Sequence, residues 1–258
     1  MGDAAPQKEG LNMHRFFVPR KDIQDKKGTV TGGELEHLRR VLRLRPGERV
    51  TLFDDEGWEH AGIVRSYTAS VGEIEILESY QPKRESSLDI TLAQALGKGE
   101  KMDLVVEKAT ELGVRTIVPF LSSHTVPRLD SKKIEGRHAR WKKIALSAAK
   151  QSGRTRIPEI LDLSDFGGLV HRPWPCELKL LFWEKESLQG LDQIRGEKVH
   201  LGSLLLVIGP EGGFSQDEAS EAMRHGFQSI RLGRRILRTE TAALAALSIV
   251  QFLWGDMG

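Results

Sequence analysis

Between residues 15 and 80 the chain alternates short apolar runs with turn residues: RFFV, VTLFD, AGIVRSY and VGEIEIL, punctuated by Gly47, Gly57 and Gly72. Runs of this length bounded by glycine predict the strands of a small barrel or meander. Within it, residues 33–44 place Leu35, Leu38, Val41 and Leu42 at helical spacing, which predicts one helix with arginines on its opposite face. Residues 81–87 (QPKRESS) are polar, contain a proline and read as a linker between residues 13–80 and residues 88–258.

Beyond residue 88 strand-like runs alternate with helix-period segments, the pattern of a largely parallel sheet covered by helices on both faces. LDITLAQAL, VRTIVPF, residues 177–183, residues 203–208 and QSIRLG predict strands. A helix is expected from Lys101, with Leu104, Val105, Ala109 and Leu112 on one face and Gly113 as its C-terminal cap. Residues 136–152 predict a basic helix with Trp141, Ile144, Ala145 and Ala148 inward. Ser215 and Glu218 form a capping box that opens a short helix closed by Gly226, and residues 239–254 predict the last helix.

Composition narrows the classes. A chain of 258 residues with 39% hydrophobic content fits one large or two modest globular domains and excludes global disorder. Cys176 is the only cysteine, so neither an intrachain disulfide nor a cysteine-based zinc site can form, and a reducing, cytoplasmic compartment is expected. The histidines lack HExxH or other ligand spacing, so no metal is expected. The apolar stretch 241–254 is too short to span a bilayer. Residues 1–12 carry acids without an apolar run and read as a loose extension, not a secretory signal.

Net charge is only +2, but it is unevenly placed. Arg39, Arg40, Arg43, Arg45 and Arg49 face one acid, Glu48; residues 132–156 are again strongly basic; and Arg231, Arg234, Arg235 and Arg238 form a third cluster. Three clusters on a nearly neutral chain point to a polyanion. LLLVIGPEGG (204–213) is an apolar strand running into Gly209, Glu211 and Gly213, where backbone groups are open to a ligand. LGRRILRTETAA (232–243) puts three arginines just before a helix, against the macrodipole by about 0.3–1 kcal/mol, a placement that a bound phosphate would reverse. Lys98 and Lys101 are similarly placed before another helix. Neither a Walker A sequence nor GxGxxG occurs. These features fit an RNA-modifying enzyme, a non-catalytic RNA-binding or ribosome-assembly protein, or an enzyme acting on a phosphorylated metabolite, for which the basic barrel would be superfluous.

HRFFV, HLRRVLRLRPGERV, ALGKGEKMDLVVEKATELGV, LVIGPEGGFSQDE and LGRRILRTETAALAAL resemble, in order, the bacterial RsmE family of 16S ribosomal RNA uridine N3-methyltransferases. The resemblance implies a PUA-like RNA-binding β-barrel followed by a knotted (trefoil) SPOUT α/β domain, a homodimer, and 16S rRNA, in the assembled small subunit, as substrate. It implies a pocket for S-adenosylmethionine formed by Pro119, Phe120, Gly209, Glu211, Gly213, Leu232, Gly233, Ile236, Leu237 and Arg238. Arg238, or an arginine of a partner subunit, is then the expected holder of the uracil anion or its neighbouring phosphate, Glu240 a candidate general base, and Arg15, Arg39, Arg40, Arg43, Lys98, Lys101, Arg154, Arg234 and Arg235 the expected RNA contacts. Lys150 and His124 stand where relatives commonly carry an acid and an arginine.

Overall fold

The alternation of the first half is realised as strands. Residues 14–97, 99–125, 131–186, 190–197 and 199–258 are described by the computed structural model, and the chain divides between Glu85 and Ser86 into two compact units. The first contains β1 (His14–Phe17), a 3-10 turn (Arg20–Asp22), β2 (Ile23–Gln24), β3 (Lys27–Thr31), α1 (Gly32–Glu36), β4 (Arg49–Phe53), β5 (Glu59–Tyr67) and β6 (Val71–Tyr80). They form one curled, barrel-like sheet in the order β1-β4-β5-β6-β3-β2, with β1 parallel to β4 and the other neighbours antiparallel. Alternate residues turn inward, so Phe16, Val30, Leu52 and Ile74 are fully buried. Each such side chain contributes about 1.5–3 kcal/mol of burial free energy.

Two features of this unit depart from the sequence expectation. α1 widens into a π-type turn over His37–Val41, so the helical period slips; Leu35 and Leu38 stay buried while Val41 is 69% exposed. The hairpin β2–β3 was invisible because its two-residue turn is Asp25-Lys26, both at positive φ, in place of the Asn-Gly that announces such turns. The unit also buries charge. Glu59 accepts hydrogen bonds from the guanidinium groups of both Arg15 and Arg84. Burial and a hydrogen bond to Glu59 push the Tyr80 hydroxyl up to about 12.

The second unit alternates as expected: β7 (Asp89–Ala95), α2 (Lys101–Glu111), β8 (Thr116–Leu121), α3 (Ser131–Ser152), β9 (Glu159–Ile160), β10 (Ser164–Asp165), α4 (Phe166–His171), β11 (Leu178–Phe182), α5 (Leu191–Glu197), β12 (Ser203–Ile208), α6 (Gln216–Arg224), β13 (Gln228–Ile230) and α7 (Thr239–Trp254). The sheet is parallel throughout, ordered β10-β8-β7-β12-β11-β13, with β9 also pairing with β8. β12 therefore enters between β7 and β11, and its apolar run is buried on both faces: Leu204, Leu206 and Ile208 join one core, Leu205 and Val207 the other. The face of α2 is rotated from the expected one. Met102, Val105, Val106 and Ala109 are buried, whereas Leu104 is 42% exposed.

The end of α2 explains one basic residue. Arg154 is 6% exposed and donates to the carbonyls of Thr110 (2.9 Å) and Val114 (2.8 Å). Gln251 of α7 donates to the Leu112 carbonyl at 2.8 Å. Buried helix-end carbonyls without partners would each be costly. Arg154 is thus a helix terminator, which corrects its expected role as an RNA contact.

Candidate functional site

Because every strand of the second sheet runs the same way, the loops that follow β7, β8, β11, β12 and β13 all leave from its carboxyl edge, where open α/β sheets bind ligands. A cleft of about 450 Å³ opens there, within the usual range of roughly 300–1,000 Å³ for ligand sites. One wall is the glycine loop, Gly209–Gly213; another is the turn 231–238 leading into α7; the floor comes from Ile208, Thr239 and Ala242. The apolar strand and the arginine turn, on either side of α6 and β13 in the sequence, therefore face one space.

Neutral hydrogen bonds stitch these walls. Gln94 Nε2 at the end of β7 donates to Thr239 Oγ1 (2.8 Å), and Thr239 Oγ1 donates to the Gly209 carbonyl (2.6 Å). Both side chains are buried, so the start of the glycine loop and the start of α7 are fixed to each other. Behind the loop, Phe214 stacks on Phe120 with ring centroids 6.4 Å apart. Its carbonyl accepts from Trp183 Nε1 at 3.3 Å.

Two further contacts hold the glycine loop from the side of β8. Ser123 donates to the buried Glu218 carboxylate through both its backbone N–H and its hydroxyl, at 2.8 Å each. The same carboxylate closes the capping box of α6 by accepting from the Ser215 N–H. His124 Nδ1 lies 3.1 Å from the Gly212 carbonyl and 3.2 Å from that of Gly213, within reach to donate to either. The histidine at this position thus braces the loop directly. Lys150 lies in the last turn of α3.

Of the expected donor-site residues, Gly209, Glu211, Gly213, Leu232, Gly233, Ile236, Leu237 and Arg238 all line the cleft. Pro119 and Phe120 do not: both are buried within β8, and Phe120 serves as the backing of Phe214. Phe182, Trp183 and Glu184, at the end of β11, line the cleft without having been anticipated. The only available signal was their position at the carboxyl end of a predicted strand. Glu184 is the more informative, since its carboxylate occupies the space where a side chain on Gly213 would begin.

The expected cations separate into groups. Arg234, Arg235 and Arg238 are exposed at the cleft and carry no ion pair among the described residues. Lys101 is committed elsewhere: its ammonium lies 2.8 Å from Glu211 Oε1 and 3.5 Å from Glu240 Oε2. Glu240 correspondingly faces Lys101 and is not among the residues that line the cleft. Arg15 is held by buried Glu59 and lies over the Phe53 ring, so it too is structural. In the first unit, Arg39 lies over Tyr67, Arg40 pairs with Glu36 on the same exposed helix face, and Arg43 is exposed at φ 54°. Lys98 lies outside the described residues, as do residues 1–13.

S-adenosylmethionine fits this geometry on three counts. The cleft offers backbone at Gly209, Gly212 and Gly213, acids at Glu184 and Glu211 for a cationic ligand, and apolar walls at Ile208, Leu232 and Leu237.

Comparison with known proteins converges on the same assignment. The family model for an RNA methyltransferase domain matches residues 84–251, and that for an RNA methyltransferase PUA domain matches residues 30–65. Ribosomal RNA small subunit methyltransferase E of Bacillus subtilis is 32% identical over 247 residues, covering 93% of this chain and 96% of that protein. The protein of the same name from Aquifex aeolicus is 34% identical over 227 residues, covering 84% of this chain and 91% of its own length. The crystal structure of ribosomal RNA small subunit methyltransferase E from Neisseria gonorrhoeae, bound to S-adenosyl methionine, superposes with a TM-score of 0.84 at 35% identity, covering 96% of this chain and all of that one. With likeness at this level running through both units, the chain belongs to the ribosomal RNA small subunit methyltransferase E family.

Proposed function

We propose that this protein transfers a methyl group from S-adenosylmethionine to N3 of one uridine in 16S ribosomal RNA, and that it does so as a cytoplasmic homodimer acting on the assembled small subunit. The observation that carries the reading is the single cleft shared by the glycine loop and the unpaired arginines of residues 231–238. Gly209, Gly213, Leu232, Gly233, Ile236 and Leu237 hold the donor by backbone approach and apolar contact, with Glu184 and Glu211 as its acidic neighbours. When bound, the donor supplies an electrophilic methyl group on a sulfonium.

The protein's own task is to make the base nucleophilic and to aim it. Uridine N3 holds its proton at neutral pH, so the anion spread over O2 and O4 must be stabilised as the proton leaves. Arg238, exposed at the cleft beside the free N–H groups of the first turn of α7, supplies that positive charge. Arg234 and Arg235 fit flanking phosphates. The uridine reaches the site unpaired or flipped. The insertion of β12 between β7 and β11 is consistent with a C-terminal segment threaded as a trefoil knot. Leu104 on α2 and Phe252 on neighbouring α7, the latter 61% exposed, are large apolar side chains open to a second subunit.

Mass spectrometry of 16S rRNA from cells with and without this protein tests the reading. Loss of one N3-methyluridine, restored by adding the protein and donor to small subunits, is the expected result; an unchanged modification pattern would overturn it. The basic turn of the first unit has its own test. Replacing Arg43 by Ala should weaken RNA binding and lower the slope of log affinity against log salt by about 1, as for one lost phosphate contact. An unchanged slope would return that residue to the solvated surface.

A further inference from the structure

Lys101 is the first residue of α2, where a cation opposes the helix dipole, so its placement calls for an explanation. Its ammonium sits between two carboxylates: Glu211 of the glycine loop, which lines the cleft, at 2.8 Å, and Glu240 of the first turn of α7, which does not, at 3.5 Å. Glu240 Oε2 is buried and makes no hydrogen bond, which leaves the ammonium as the charge facing it. Glu211 reaches this position because residue 97 is glycine; a Cβ there would come within 2.9 Å of Glu211 Oε1. Three loops, after β7 and β12 and before α7, thus meet at one cation.

We infer that Lys101 is a positioning residue for the methyl donor: it holds Glu211 down against Gly97, and with it the glycine loop, while cancelling the repulsion between Glu211 and Glu240 beside the cleft. The inference rests on the reading that the cleft binds S-adenosylmethionine. Lys101 does not line the cleft and touches no reacting atom. Both carboxylates raise its pKa, the hydrogen bond to Glu211 most, so the ammonium stays charged throughout the neutral range. This charged stitch lies alongside the neutral one formed by Gln94, Thr239 and Gly209. The two differ in what they respond to, since only the charged one weakens with salt or charge removal.

The test is calorimetric titration of the full-length protein with S-adenosylmethionine, in parallel with thermal melting of the ligand-free protein. Lys101→Met should raise the dissociation constant about fivefold, the scale of a partly exposed charge pair. Lys101→Arg should recover most of that loss, and adding Glu240→Gln to Lys101→Met should recover part of it by removing one of the two facing carboxylates. If Lys101→Met melts too low to titrate, Glu211→Gln carries the test and should show a similar rise. Wild-type affinity in Lys101→Met, or a rise that neither Arg nor the added Glu240→Gln relieves, would overturn the positioning role. Absence of heat with the wild-type protein would overturn both this inference and the donor reading beneath it.

Discussion

Gly213→Val is expected to lower affinity for S-adenosylmethionine by about thirtyfold or more, roughly 2 kcal/mol, while leaving the fold intact. Gly213 has φ 66°, a left-handed conformation that a β-branched residue adopts only at a cost of about 1–2 kcal/mol. Its Cβ would also begin where the Glu184 carboxylate lies. Glu184 can swing away at little energetic cost, but in doing so it leaves the wall of the cleft and takes an acid from beside the donor. Relief of backbone strain would meanwhile pull on the carbonyls of Gly212 and Gly213 that His124 braces. Calorimetry gives the affinity, and thermal melting separates it from global loss. Glu184→Gln keeps the shape and removes only the charge, so it should weaken binding less than Gly213→Val. Equal affinities for Gly213→Val and wild type would mean the glycine loop does not form the donor site.

That loop shows what the sequence made legible. The all-apolar run ending in GPEGG reads as a buried parallel strand leading into a turn open to a ligand, and the structure buries that run on both faces with the glycines at the cleft. The capping box at Ser215–Glu218 was equally plain, yet its second role was not. The same Glu218 carboxylate that caps α6 also receives Ser123 from the loop after β8. A local signal reports a local hydrogen bond; a partner nearly a hundred residues away leaves no trace in spacing.

Charge was the least legible property, for the same reason. Arg15, Lys101 and Arg154 carry the same charge as Arg234, Arg235 and Arg238, and only tertiary partners separate them. Glu59 takes Arg15, the carbonyls at the end of α2 take Arg154, and Glu211 with Glu240 takes Lys101. Subtracting these leaves the turn 231–238 with unpaired guanidinium groups at the cleft, a sharper contrast than the raw clusters offered. Pro119 and Phe120 show the same dependence on a tertiary partner among apolar residues. They lie one strand inward of the edge, and their contribution passes through Phe214 to the glycine loop.

Arg238→Ala is expected to slow methyl transfer about 10²–10³-fold with donor affinity changed by less than about threefold, the pattern of a charge that acts on the transition state. Stability gives no reason for an arginine at this position. It is the N-cap of α7, where Ser, Thr, Asp or Asn would accept a hydrogen bond from the first turn and add about 1 kcal/mol, and its own side chain makes no capping bond. Arg238→Ser should therefore melt at or above the wild-type temperature while losing transfer as severely as Arg238→Ala. Single-turnover assays at saturating donor and RNA isolate the chemical step from binding, and Arg238→Lys should recover part of the rate by restoring the charge without the planar fork. Full activity in Arg238→Ser would remove Arg238 from the chemistry. A large loss of donor affinity in either variant would instead move it into the wall that holds the methyl donor.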